Sequence, residues 1–129
     1  MNARRSNTLI FFGLAAVLVT AAVMPDPEHG PVLCAFRAIT SVPCPSCGMT
    51  RAFHALSHGD LRAATAFNLA SPLVYAAAWL GLALAFAGIC TDKPLIKRAW
   101  SESKLVVGPI AVGLMTVAWI HNLVDRFGA

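Results

Sequence analysis

Cys44-Pro-Ser-Cys47 opens the most reactive stretch of the chain, with Arg51, His54 and His58 following and Cys34 ahead of it. These residue types at this spacing allow four kinds of chemistry. The first is structural. A disulfide from Cys34 to Cys44 or Cys47 would close a loop of roughly ten residues, a constraint typically worth about 2–4 kcal/mol, and would leave the third cysteine to be explained. The second is thiol–disulfide exchange. A Cys-x-x-Cys pair at a helix start gains from the local amides and the helix dipole, which favour the thiolate. Cys44 would attack, Cys47 would resolve and Cys34 could pass electrons onward. The third is metal binding, with zinc as the expected ion. Cys34, Cys44 and Cys47 form one ligand set, and His54 with His58 another. Cys47 and His54 would lie about 10 Å apart along a helix axis, too far to share one tetrahedral site. The fourth is recognition. Thr50 and Arg51 could hold a lipid phosphate or an acidic protein partner; the plainer use of Arg51 is an ion pair with Asp60.

Local signals place this cluster on a helix of about 45–58. Pro45 suits a first helical position, which makes Cys44 the expected N-cap. Gly59 reads as a left-handed stop and Asp60 as the cap of a second short helix beginning at Leu61. At about 100° per residue, Cys47, Arg51, His54 and His58 share one face, and Met49, Ala52, Phe53 and Leu56 share the opposite one. Such a helix rests its apolar side on other helices or in a membrane interface.

The rest of the chain supplies that membrane. Of its 129 residues, 57% are hydrophobic and 12% charged, with a mean hydropathy of +0.67. A soluble domain carries about 25% charged residues. No Asp, Glu, Lys or Arg occurs between Ser6 and Pro25, between Ala63 and Thr91, or between Leu105 and Val124. Each run reaches the roughly 20 residues that a spanning helix needs. The expectation is one all-α membrane domain over 1–129, with spans at about 7–24, 69–90 and 105–121. A short extracytoplasmic helical hairpin joins the first two. The first run, with Arg4, Arg5, Ala21 and Ala22, also fits a cleavable signal peptide, though its length favours a retained span.

Charge placement orients these spans. Arg4, Arg5, Lys93, Lys97, Arg98 and Lys104 fall on one side, and Arg37, Arg51, Arg62 and Arg126 on the other. The positive-inside rule puts the first set, with the N-terminus, in the cytoplasm and residues 25–68 outside a bacterial inner membrane. The basic residues flank spans, so lipid rather than nucleic acid is the expected partner. Ala77, Gly81 and Ala85 recur at the spacing that lets helices approach closely in lipid, although alanine is common throughout. Tyr75, Trp100 and Trp119 fit interfacial positions. Cys90 reads as a small buried hydrophobe. Asn68, a polar group in an apolar run, is expected to hydrogen-bond inward to the cysteine helix.

The order Cys34, Thr40, Pro43-Cys44-Pro45-Ser46-Cys47-Gly48-Met49-Thr50-Arg51-Ala52, Gly59-Asp60, Ala64 and Asn68 resembles the bacterial membrane-protein family termed domain of unknown function 2752. The resemblance covers about residues 30–90. It implies a small multi-span protein with its cysteine helix between spans, and it brings no reaction. Two positions depart from the family's usual pattern. Ala35 stands where proline often follows the first cysteine. Asn68-Leu69 stands for Asn-Pro, with the proline delayed to Pro72, which is expected to break or kink the entry to the second span.

Overall fold

The computed structural model describes residues 3–24, 39–42, 44, 46 and 48–128. These residues form α1 (Ala3–Val23), α2 (Met49–Ser57), α3 (Leu61–Phe67), α4 (Ser71–Thr91) and α5 (Leu95–Phe127), with no strand among them. Three helices are long and apolar enough to cross a membrane: Ala3–Val23, Ser71–Thr91 and Leu95–Val124. The all-α, three-span architecture follows from the charge-free runs, because only a helix satisfies its own backbone in lipid.

α1 and α4 form the most extensive pairing among the described helices. Their interface is built on small residues. Ala85 is fully buried, and Gly81 sits so close to α1 that a Cβ there would lie 3.1 Å from Leu14 Cδ1. The stripe differs from the expected one at its N-terminal end. Ala77 is exposed, and Ala78 packs against Leu18, Ala21 and Phe53 instead. At its C-terminal end the stripe runs on to Gly88. There the Asn7 side chain of α1, only 2% exposed, crosses to donate from Nδ2 to the Lys93 carbonyl at 2.9 Å. A Cβ on Gly88 would collide with the Asn7 amide nitrogen and meet its Cγ at 2.9 Å and the Lys93 carbonyl oxygen at 3.0 Å. Gly88→Ala should therefore displace Asn7 from its acceptor and destabilise the α1–α4 pair by about 1–3 kcal/mol, the range for overpacking. Thermal unfolding in detergent, read by helical circular dichroism, checks this; an unchanged midpoint would remove Asn7 from the interface account. Cys90 is a correction. It is exposed, because the α4 face turned to α1 is the one bearing Ala85 and Gly88.

α5 is 33 residues long, about 50 Å at 1.5 Å per residue. That exceeds a hydrocarbon core of about 30 Å. Its first turns carry Lys97, Arg98, Glu102 and Lys104, with Arg98 Nε 3.0 Å from Glu102 Oε1, and the charge-free part begins at Leu105. Pro109 lies inside α5 without ending it, as helices in lipid tolerate. Only 6% of its apolar window is buried, against 22% for α1.

Between α1 and α4, the short helices α2 and α3 pack on each other through Ala52, Ala55 and Ala64, with Leu56, Ala63 and Phe67 around them. Their junction is local chemistry. Gly59 takes φ +81°. Its N–H donates to the Leu56 carbonyl at 3.1 Å and the Asp60 N–H to the Ala55 carbonyl at 2.9 Å, the paired bonds of a Schellman stop. Asp60 then caps α3, accepting from the Ala63 amide at 2.8 Å. α4 starts without a kink. The chain breaks earlier, at Asn68–Ala70, and Pro72 occupies the first turn of α4, where a missing N–H costs nothing.

Candidate functional site

α2 is held across the ends of α1 and α4 by its apolar face. Phe53 is buried against Leu18 and Ala21 of α1 and meets Tyr75 of α4 edge-on, with ring centroids 5.2 Å apart and planes at 75°. Such an arrangement is worth about 0.5–1.5 kcal/mol beyond area burial. Tyr75 thus serves the packing of α2. The rest of its surface carries the polar residues: Thr50, Ser57 and His58 are exposed, and Arg51 and His54 half-buried.

The start of α2 corrects the expected one. Its N-cap is Gly48 with φ +84°, and its first helical residue is Met49. Cys44 therefore does not cap it; Pro45, like Cys47 and Cys34, lies outside the described residues. The reason is tertiary. A Cβ on residue 48 would lie 2.5 Å from the Phe67 carbonyl oxygen. Only glycine permits both the left-handed turn and this approach to the end of α3. The turn ahead of it is defined by the Met49 N–H donating to the Ser46 carbonyl at 3.1 Å. Cys44 is half-buried, with its Sγ 3.4 Å from the Ser46 hydroxyl oxygen. In sequence it is Cys47 that directly precedes the N-cap.

Asn68 organises the far side of the same corner. It is fully buried. Its Oδ1 accepts from the Ala70 amide at 3.0 Å and its carbonyl from the Ser71 amide at 3.0 Å. The Ser71 hydroxyl donates to the Ala64 carbonyl at 3.1 Å. Asn68 and Ser71 together carry the chain from α3 into α4, at the level where Gly48 meets Phe67. These contacts hold its own junction.

The two histidines have different places. His54 reaches α1, with Nδ1 3.0 Å from the Ala21 carbonyl oxygen. His58 stays on the surface of α2, its ring centroid 4.3 Å from that of His54. Among the described residues, no group of three or more His, Cys, Asp or Glu gathers in a way that could hold a metal ion. A zinc set of Cys34, Cys44 and Cys47 includes two residues outside the described ones. Thr50 lines a mainly apolar cleft with Val17 and Thr20 of α1 and Met49 and Phe53 of α2. Asp60 uses its carboxylate as a helix cap.

Sequence reasoning missed Gly48 as the pivot of the site, Ser71 as part of the α3–α4 junction, and the attachment of His54 to α1. The positive-φ preference of glycine and the position of Ser71 just before proline are the only local signals for the first two; nothing local signals the third.

Comparison with known proteins gives one family. Residues 34–82 match a family described as protein of unknown function (DUF2752). The matched segment holds Cys34, Cys44 and Cys47, α2, α3 and the first half of α4. No curated protein and no solved structure matches the chain.

Proposed function

With that family resemblance as premise, which supplies a segment and no reaction, we propose that the chain is a small bacterial inner-membrane protein performing thiol–disulfide exchange at the extracytoplasmic face of that membrane, with Cys44 and Cys47 as the exchanging pair. The observation that carries this reading is the seat of Gly48 at the start of α2. Gly48 is seated on the Phe67 carbonyl, and the half-buried Cys44 sulfur lies beside the Ser46 hydroxyl. This seats the residue that follows the Cys-x-x-Cys segment in the sequence on packed helices. Because α2 starts at Met49, and helix N-terminal amides stabilise a thiolate, the position of Cys47 directly before the N-cap in the sequence supports it as the attacking group and Cys44 as the resolving one.

The exchange balances without a cofactor. The Cys47 thiolate attacks one sulfur of a substrate disulfide, and the other substrate sulfur leaves as a thiolate and takes a proton from water. The Cys44 thiolate then displaces the second substrate sulfur, which is also protonated. Two electrons pass to the substrate and a Cys44–Cys47 disulfide remains. A protein dithiol restores the reduced pair by the reverse steps, and Cys34 is placed in the sequence to relay that exchange. Orientation rests on the basic residues of the N-terminus and the 91–104 segment, which favour the cytoplasm.

An impermeant maleimide applied to reduced spheroplasts should label Cys44 and Cys47, while Cys90 reacts only after lysis. In a dithiol/disulfide redox series, mass spectrometry should then find a Cys44–Cys47 disulfide forming and opening reversibly. A Cys34 disulfide that persists across the series would replace exchange with a structural staple and make the protein a membrane scaffold. Labelling of Cys90 before lysis would invert the topology.

A further inference from the structure

We propose that His54 and His58 form a two-imidazole binding site for a transition-metal cation of the Zn2+/Cu2+ class on the surface of α2. The site stands independently of the thiol pair. The two residues are one helical turn apart, and their rings lie with centroids 4.3 Å apart and planes tilted by 36°. What makes them more than neighbours is the state of their nitrogens.

His54 Nδ1 faces the Ala21 carbonyl oxygen at 3.0 Å, and His58 Nδ1 faces the His54 carbonyl oxygen at 2.9 Å. A carbonyl can only accept, so each Nδ1 carries the hydrogen and donates. Ser57 agrees with this assignment. Its hydroxyl donates to the His54 carbonyl at 2.6 Å, which leaves its oxygen lone pairs for His58 Nδ1–H at 3.0 Å. A neutral imidazole has one N–H and one lone pair. Both lone pairs are therefore on Nε2, and among the described residues neither Nε2 has a hydrogen-bond partner.

This is the arrangement that metal-binding histidines require. The outer nitrogen donates to a backbone carbonyl, which fixes the tautomer and the ring orientation and leaves the inner nitrogen to the metal. Imidazole selects zinc, copper and nickel over calcium or magnesium. The location also favours a cation. Both residues belong to the last turn and cap of α2, where the helix presents its partial negative charge. Two protein nitrogens leave the remaining coordination positions to water or to a donor on a partner molecule.

A purely structural role accounts for His54, which ties α2 to α1. It does not account for His58, which is exposed and whose ring contacts stay within α2.

The test uses the full chain in detergent with every cysteine alkylated, so that no thiolate can contribute. Cu2+ is titrated in and followed by electron paramagnetic resonance, with Zn2+ as competitor. One equivalent of Cu2+ should bind with nitrogen hyperfine structure from two donors, and Zn2+ should displace it. His58→Ala, at an exposed position that leaves α2 anchored, should weaken binding at least tenfold. His121→Ala should not change it. Binding in His58→Ala equal to that of the parent would overturn the proposal, as would loss of the two-nitrogen signal in His121→Ala.

Discussion

Gly48→Ala should cost the protein several kilocalories of stability, while Gly59→Ala, at nearly the same dihedral, should cost far less. Gly48 has φ +84° and Gly59 φ +81°, so the left-handed penalty of about 1–2 kcal/mol for a residue with a Cβ applies to both. The surroundings separate them. A Cβ at 59 meets nothing within 4 Å, whereas one at 48 lies 2.5 Å from the Phe67 carbonyl oxygen and 3.2 Å from its carbon. These are backbone atoms at the end of α3 and cannot rotate aside. Relief requires α2 and α3 to separate, which disturbs the buried contacts of Ala52, Ala55 and Ala64. Overpacking of this kind adds about 1–3 kcal/mol to the dihedral strain. Chemical unfolding of both variants in the same detergent should show the difference. Equal losses would mean that the Phe67 approach is not a constraint.

Asn68→Ala should be the next most damaging change, and its effect should be local. The side chain is fully buried, and its Oδ1 accepts from the Ala70 amide. Truncation leaves that donor buried and bare, at a cost of about 1–3 kcal/mol. Ser71→Ala removes only the hydroxyl bond to the Ala64 carbonyl, which also accepts from the Asn68 amide at 3.0 Å. It should cost about 1 kcal/mol. Hydrogen exchange checks both. The amides of Ala70 and Ser71 should lose protection in Asn68→Ala while those in the middle of α4 keep theirs. Uniform deprotection along α4 would instead mean that Asn68 supports the whole three-helix contact.

These two residues also show which parts of the molecule can be read from the sequence. The three long helices follow from runs without charge, since the lipid requirement acts on any stretch of that length. The Gly59–Asp60 junction is equally legible, because both caps are local. The start of α2 is not. Pro45 is a fair local signal for a helix beginning at Cys44, but the start is set by Gly48 against a carbonyl in another helix. Pro72 carries the same lesson: it opens α4 because the buried Asn68 has already turned the chain. The polar stripe was legible as a face of α2, but not the reach of His54 to Ala21, which depends on how α2 lies over α1. The Asn7–Lys93 bond likewise joins positions at opposite ends of the first two spans. Cys34 and Cys47 lie outside the described residues, so the cysteine readings rest on sequence and on the Cys44 end of the turn.

The sparse burial of α5 has a consequence for how this gene can change over time. The residues along the α1–α4 seam answer to a neighbour: Gly81 to Leu14, Gly88 to Asn7, Ala85 to the closed seam around it. Most of α5 answers only to its solvent, with Leu105, Val106, Val112 and Ile120 all turned outward. Leucine, isoleucine, valine and phenylalanine are nearly interchangeable to a hydrocarbon chain. Selection on such positions retains an average and not an identity. Descendants of this sequence should therefore share their glycines and alanines along α4 long after the letters of α5 have been reshuffled, and the last span should be recognisable by its greasiness after its spelling is gone.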